Sequence, residues 1–190
     1  GDDSYEWFGG TVNCKHLIAY RGWDDEFDTD FGFSGKLQFL VGLRDPEVAD
    51  QSGSNGFESD NDGSGSTNSP RTSPTWWNVT LVGPLATTTT PINSLFKRGM
   101  HLRRSSQNKI NNTLDMGWPL GILIDGVNTT TDAQNGVMYV KNSIVSSNTG
   151  AVIDSVSSNG TFNPSLFFSS NNNRSFPTNA EVSLVAPFDL

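Results

Sequence analysis

The sequence predicts an all-β fold, a right-handed parallel β-helix, on three observations. Short runs rich in Val, Phe, Leu and Thr are separated by Gly, Asn and Ser, and stretches rich in Ala, Leu, Glu and Lys are nearly absent, a composition of strands and tight turns. Five Trp and twelve Phe in 190 residues supply one sizeable core and exclude a disordered chain. An acidic segment recurs: Asp2-Asp3-Ser4-Tyr5-Glu6 aligns with Asp24-Asp25-Glu26-Phe27-Asp28 at a spacing of 22, and Val12-Asn13-Cys14-Lys15 with Phe33-Ser34-Gly35-Lys36 at 21. A unit of that length holds two or three short strands, which suits one coil of a parallel β-helix. A β-sandwich is the alternative, but its strands would alternate more cleanly and would not repeat an acidic turn at constant spacing.

The elements follow in order. The first repeat runs into His16-Leu17-Ile18-Ala19 and the second into Leu37-Gln38-Phe39-Leu40-Val41, both β-compatible. Weaker echoes recur at Trp77 to Val82, Lys109 to Leu114 and Val140 to Val145. Residues 45–75, rich in Ser, Gly, Asn and Asp, read as a polar loop projecting from one coil, the kind of segment that carries function. The whole of 1–190 reads as a single β-helical domain, a fragment of a longer exported protein, because the chain opens already inside a patterned segment.

Charge and cysteine content narrow the function. Net charge is −8, too acidic for a nucleic-acid binder, whose phosphate contacts need a basic surface. No apolar run approaches the roughly twenty residues that span a membrane. Cys14 is alone, so no intramolecular disulfide forms, and no Cys/His cluster has zinc spacing. There is no Ser/His/Asp pattern, P-loop or dinucleotide fingerprint.

The stretches GDDSYEWFGGTVNCKHLIAY, GWDDEFDTDFGFSGKLQFLVGLRDPEVAD, SGSNGFESDND and LFKRGMHLRR, in that order, resemble a β-helical domain of secreted and surface proteins of Bacteroidetes and related bacteria, often placed ahead of a C-terminal secretion-sorting domain. The resemblance covers about the first 125 residues. It implies the fold and a secreted or cell-surface location, and no particular activity.

Stacked, the repeats form a ladder: Tyr5-Glu6-Trp7-Phe8, Phe27-Asp28-Thr29-Asp30, Phe57-Glu58-Ser59-Asp60 and Phe96-Lys97-Arg98-Gly99. The first column, aromatic throughout, is expected to stack inside the coil. The second brings carboxylates to about 4.8 Å from one another, where two charges repel by roughly 3 to 4 kcal/mol at an effective dielectric near 20. Solvation, a raised pKa, a basic neighbour or a cation could relieve that repulsion. Lys97 would serve the last acid, while Asp2/Asp24, Asp3/Asp25 and Glu6/Asp28 stay uncompensated. Calcium takes six to eight oxygen ligands in flexible geometry, and the candidate ligands are Asp24, Asp25, Asp28, Asp30, Glu58, Asp60 and Asp62. An EF-hand does not fit: counted from Asp60, position twelve is Arg71 rather than a bidentate Glu.

The functional expectation is a non-catalytic secreted or cell-surface module for adhesion to a polysaccharide or a surface protein, with an acidic face that is a candidate calcium site. One alternative is a polysaccharide lyase or hydrolase drawing its base from Lys97, Arg98, His101, Arg103 or Arg104. The other is a structural spacer.

Overall fold

A computed structural model describes residues 2–146 and 149–189. Each coil of the chain supplies a strand to each of two sheets, and every pairing between coils is parallel. The first sheet contains β1 (Tyr5–Phe8), β3 (Phe27–Asp30), β5 (Asn55–Ser59), β7 (Arg98–Leu102), β9 (Leu120–Asp125) and β12 (Ile153–Val156), stacked in that order. The second contains β2 (Cys14–Tyr20), β4 (Lys36–Leu43), β6 (Thr75–Val82), β8 (Lys109–Met116), β11 (Ile144–Ser146) and β13 (Arg174–Phe176), with β10 (Tyr139–Lys141) also pairing with β8. This is the parallel β-helix that the repeat predicts. Helices α1 (Val127–Gln134) and α2 (Pro164–Ser169) interrupt the last coils, and a 3₁₀ turn at Asn179–Val182 follows.

The second sheet is creased along one column. His16, Phe39, Asn78, Asn112, Asn142 and Asn172 all have φ between 50° and 61°, and ladder pairing skips them: Lys15 pairs with Gln38 and Leu17 with Leu40, Trp77 with Asn111 and Val79 with Thr113. Left-handed backbone strains most side chains, and Asn tolerates it best after Gly. The amides also bond along the column, Asn112 Nδ2 to Asn78 Oδ1 and Asn172 Nδ2 to Asn142 Oδ1 at 2.8 Å. His16 stacks on Phe39 with ring centroids 5.2 Å apart, at the end of the same column. The crease gives the coil a third face.

Inside, Tyr5, Phe27, Phe57, Met100, Ile122 and Ile153 lie in register on successive strands. The expected aromatic column therefore holds for three coils. In the fourth, Met100 takes the place expected of Phe96, and His101 that expected of Lys97. Phe96 instead packs with Trp118 and Ala49 in a second cluster, and the Arg44 guanidinium lies 4.9 Å from its ring. Residues 45–75 are not one projecting loop, because β5 runs through them and pairs with β3 and β7.

The sheets meet through complementary volumes. A Cβ at Gly42 would lie 3.3 Å from Glu26 Cγ, one at Gly56 2.9 Å from Leu81 Cδ1, and one at Gly121 2.6 Å from Val145 Cγ1. Glu26, fully buried, is held by Arg44 Nη1 at 2.8 Å and by Ser4 Oγ at 2.8 Å. A Cβ at Gly99 would lie 2.1 Å from Asp115 Oδ1. Asp115 is fully buried, and neither oxygen has a hydrogen-bond partner among the described residues. Burial alone pushes its pKa well above the usual aspartate range.

Candidate functional site

Because side chains alternate across a strand, the first sheet turns its polar column outward while Tyr5, Phe27 and Phe57 fill the interior. Glu6, Asp28, Glu58 and His101 occupy one register position on β1, β3, β5 and β7. Before that column stand Asp3, Asp25, Asn55 and Arg98; after it stand Phe8, Asp30, Asp60 and Arg103. The outer face thus carries carboxylates on three coils above a fourth that is basic.

The acids divide into two groups by their partners. Carboxylate oxygens of Asp3, Glu6 and Asp28 lie within 4.8 Å of one another, as do those of Asp2, Asp3 and Asp24. No Lys, Arg or His side chain forms an ion pair with any of these five among the described residues. Asp28 Oδ1 is buried without a hydrogen-bond partner. Burial first, then the charges of Glu58 and Asp3, push the Asp28 carboxyl up to about 9. Burial likewise raises Asp3 to about 7, against the amide bond that Asp25 N donates to it at 2.9 Å. Glu6, Asp24 and Asp30 are also raised, each chiefly by burial. Asp25, buried beside Glu58, stands well above its usual range although Asn55 N and Nδ2 donate to its Oδ1 at 2.6 and 3.0 Å.

The second group is neutralised. Glu58 meets Arg103 Nη2, His101 Nδ1 at 3.3 Å and Asn55 Nδ2 at 3.3 Å. Burial pushes its pKa up, but the His101 bond and the Arg103 charge outweigh burial and leave it lowered. Asp60 receives Arg103 Nε and Arg104 Nη1, each at 2.8 Å. Asp62 accepts from Ser64 N at 3.0 Å, Ser64 Oγ at 2.7 Å, and Ser66 N and Oγ within its own turn, and these bonds lower its pKa.

Of the seven candidate ligands, then, Asp24 and Asp28 join unpaired clusters, Asp25 and Asp30 lie beside them on the same face, Glu58 and Asp60 are ion-paired, and Asp62 serves its turn. Asp2, Asp3 and Glu6 complete the clusters; their signal was the 22-residue alignment with Asp24, Asp25 and Asp28. Among the bases, Lys97 Nζ caps Ser94 O at 3.3 Å. Arg98 Nη1 reaches His101 Nδ1 at 3.0 Å and Asn55 Oδ1 at 3.3 Å, and its Nε has no partner among the described residues. Burial lowers the Arg98 pKa despite the opposing charge of Glu58.

Exposed aromatics flank this face. Phe8 and Phe31 are 62% and 57% exposed, with ring centroids 5.6 Å apart, beside Asp30. Trp23, 57% exposed, is fixed at the other margin by its Nε1 bond to Asp50 Oδ1 at 2.7 Å. Phe31 holds φ at 49°, a conformation that disfavours bulky residues.

No helix among the described residues is long and apolar enough to cross a membrane. Neither a curated protein nor a solved structure matches the chain. The profile of the pectate-lyase-like β-helix domain does match, over residues 1–182, and with the coil already established by strand register, the chain belongs to the pectate-lyase-like β-helix domain family.

Proposed function

We propose that the outer face of the first sheet is a calcium-dependent glycan-binding face on a secreted or cell-surface protein. The observation that carries the reading is the convergence of Asp3, Glu6 and Asp28 within 4.8 Å, with no cationic side chain paired to them and Asp28 Oδ1 unpartnered among the described residues. Three carboxylates so close are relieved by protonation or by a cation, and calcium accepts carboxylate oxygens in irregular numbers, with water completing the shell. The aromatics at both margins suit the apolar faces of sugar rings. Export is inferred from the resemblance to domains of exported bacterial proteins.

The test is a glycan array read with and without calcium, with product detection in parallel. Binding that requires calcium and is lost in Asp28→Asn supports the reading; calcium-independent binding, or none, removes it.

One observation favours a second reading, a polysaccharide lyase. Arg98 has an Nε unpaired among the described residues and a pKa lowered by burial, beside a carboxylate-rich face, and a guanidine made easier to deprotonate could take the α-proton of a uronate whose carboxylate is bound to a cation. Ultraviolet absorbance from an unsaturated uronate, absent in Arg98→Lys, would establish it. The ion pairs of Arg103 and Arg104 with Glu58 and Asp60 favour the binding role over turnover at those two bases.

A further inference from the structure

The second sheet turns a basic face outward. Before the crease its inward column is Cys14, Leu37, Trp76, Ile110 and Val140, and the outward positions on either side of that column make the face. One outward column reads Lys36, Thr75, Lys109 and Tyr139; the other reads Lys15, Gln38, Trp77, Asn111 and Lys141. The seven strands of this sheet contain one acid, Asp115, and it is fully buried. No carboxylate pairs with any of the four lysines among the described residues. Trp77, 44% exposed, stands between the coils that carry Lys36 and Lys109, and Phe39, 43% exposed, lies one coil away at the crease.

The acidic face looks the other way. Phe27 and Phe57 of the first sheet meet Trp76 of the second across the core, with ring centroids 6.5 and 4.3 Å apart, so the outward columns of the two sheets point away from one another. The two faces of one molecule therefore cannot meet. Their contents are complementary all the same. On the first sheet, Asp2 and Glu6 are exposed and Asp30 half-buried, none of them in an ion pair among the described residues, beside the exposed rings of Phe8 and Phe31. On the second, lysines stand round exposed rings without an acid. Where the chain does bring bases to its own acids, it pairs them, as Arg103 shows at Glu58 and Asp60. The coil rise of about 4.8 Å is common to both faces, so columns of carboxylates and columns of lysines can run in step.

We propose that the lysine and tryptophan face docks on the acidic face of a second copy of this chain, the Phe8 and Phe31 rings against Trp77 and Phe39 and the lysines among Asp2, Glu6 and Asp30. Each ammonium supplies the opposite charge that the crowded carboxylates lack, and Trp is among the side chains most enriched at the centres of protein contacts. Because the patch on one copy differs from the patch it meets, the contact is heterologous and leaves a free face at either end, so copies add in an open row. The inference goes beyond the glycan-binding reading and does not rest on it.

Sedimentation velocity in a chelator, which keeps cations off the acidic face, tests this from micromolar to millimolar protein. The native chain should form species that grow with concentration and shrink with added salt. The double variant Lys36→Glu, Lys109→Glu should stay monomeric, and so should Glu6→Lys, Asp30→Lys. Mixed in equal amounts the two should associate again, because each keeps the face that the other has lost. Cooperative unfolding of each variant shows that it is folded; where a reversed charge is not tolerated, Lys36→Gln with Lys109→Gln, or Glu6→Gln with Asp30→Asn, should weaken association instead. A native chain that is monomeric throughout, association that survives in either double variant, or a mixture that stays monomeric overturns the proposal, as does a monomer whose lysine face binds vesicles of anionic phospholipid. A native chain that associates in this way but binds no polysaccharide on the array removes the glycan reading and keeps this one.

Discussion

Asp115 is the residue whose behaviour is most sharply determined by its surroundings. Its carboxyl occupies the slot that Gly99 leaves open, where Leu81 and Val145 stand in the same register on β6 and β11. A buried polar group left without a partner costs about 1 to 3 kcal/mol, so the acid folds in its neutral form. Because the folded state holds this proton to higher pH than the unfolded chain does, the stability associated with it is present below the ordinary aspartate pKa of 3.8 and is lost as pH rises towards the raised folded value. Urea unfolding should show stability falling as the pH rises from about 4 to about 8, and Asp115→Val should flatten that fall and raise stability at the upper end. Asp28 behaves differently, since its environment is a cluster. Millimolar calcium should raise the melting temperature of the native protein, and Asp28→Asn should abolish the shift. At a hundred times its dissociation constant a ligand adds about 2.7 kcal/mol. Raised salt without calcium should instead weaken the partly exposed pairs of Arg104 with Asp60.

At the scale of the element, the crease of the second sheet sets the shape of the coil. Six successive coils place a left-handed residue there, four of them Asn, because a short amide tolerates the backbone and bonds to the amide above or below it. Asn112→Val should cost about 1 to 2 kcal/mol, the penalty of a left-handed backbone for a side chain with a branched Cβ, and Asn112→Gly only a few tenths. The measurement is the urea midpoint of each variant at unchanged slope. A similar bend closes the first sheet at Gly9, Phe31, Arg104 and Gly126, all with positive φ. Glycine suffices in two of those coils, and the other two carry a ring and a guanidinium outward beside the candidate sites. The acidic repeat explains the strands of this sheet, but not which acids are paired, since that depends on what the next coil supplies.

Across the whole molecule, each coil buries its side chains against the coils above and below, so a defect in one is felt by its neighbours. Phe27 lies 5.6 Å from Tyr5, 5.9 Å from Phe57 and 6.5 Å from Trp76 between ring centroids. Phe27→Ala should therefore cost about 3 to 5 kcal/mol, checked by chemical unfolding, and should loosen the acidic face that β3 carries on its other side. The same alternation that turns Phe27 into the core turns Asp28 to the other side of the sheet, which makes core and site two faces of one strand.

The sequence by itself determined the coil, the inward column of Tyr5, Phe27 and Phe57, and the outward pairing of Glu6 with Asp28, because a period of 22 residues and alternation along a strand are local properties. Tertiary structure alone decided that Met100 and His101, not Phe96 and Lys97, continue those columns. It also decided that Glu58 and Asp60 are spent on Arg103 and Arg104, that Asp115 meets Gly99, and that α1 faces the basic coil. Connections of unequal length separate the strands of successive coils, so register there follows from which side chains close the core, a long-range balance of packing and charge that no spacing along the chain records.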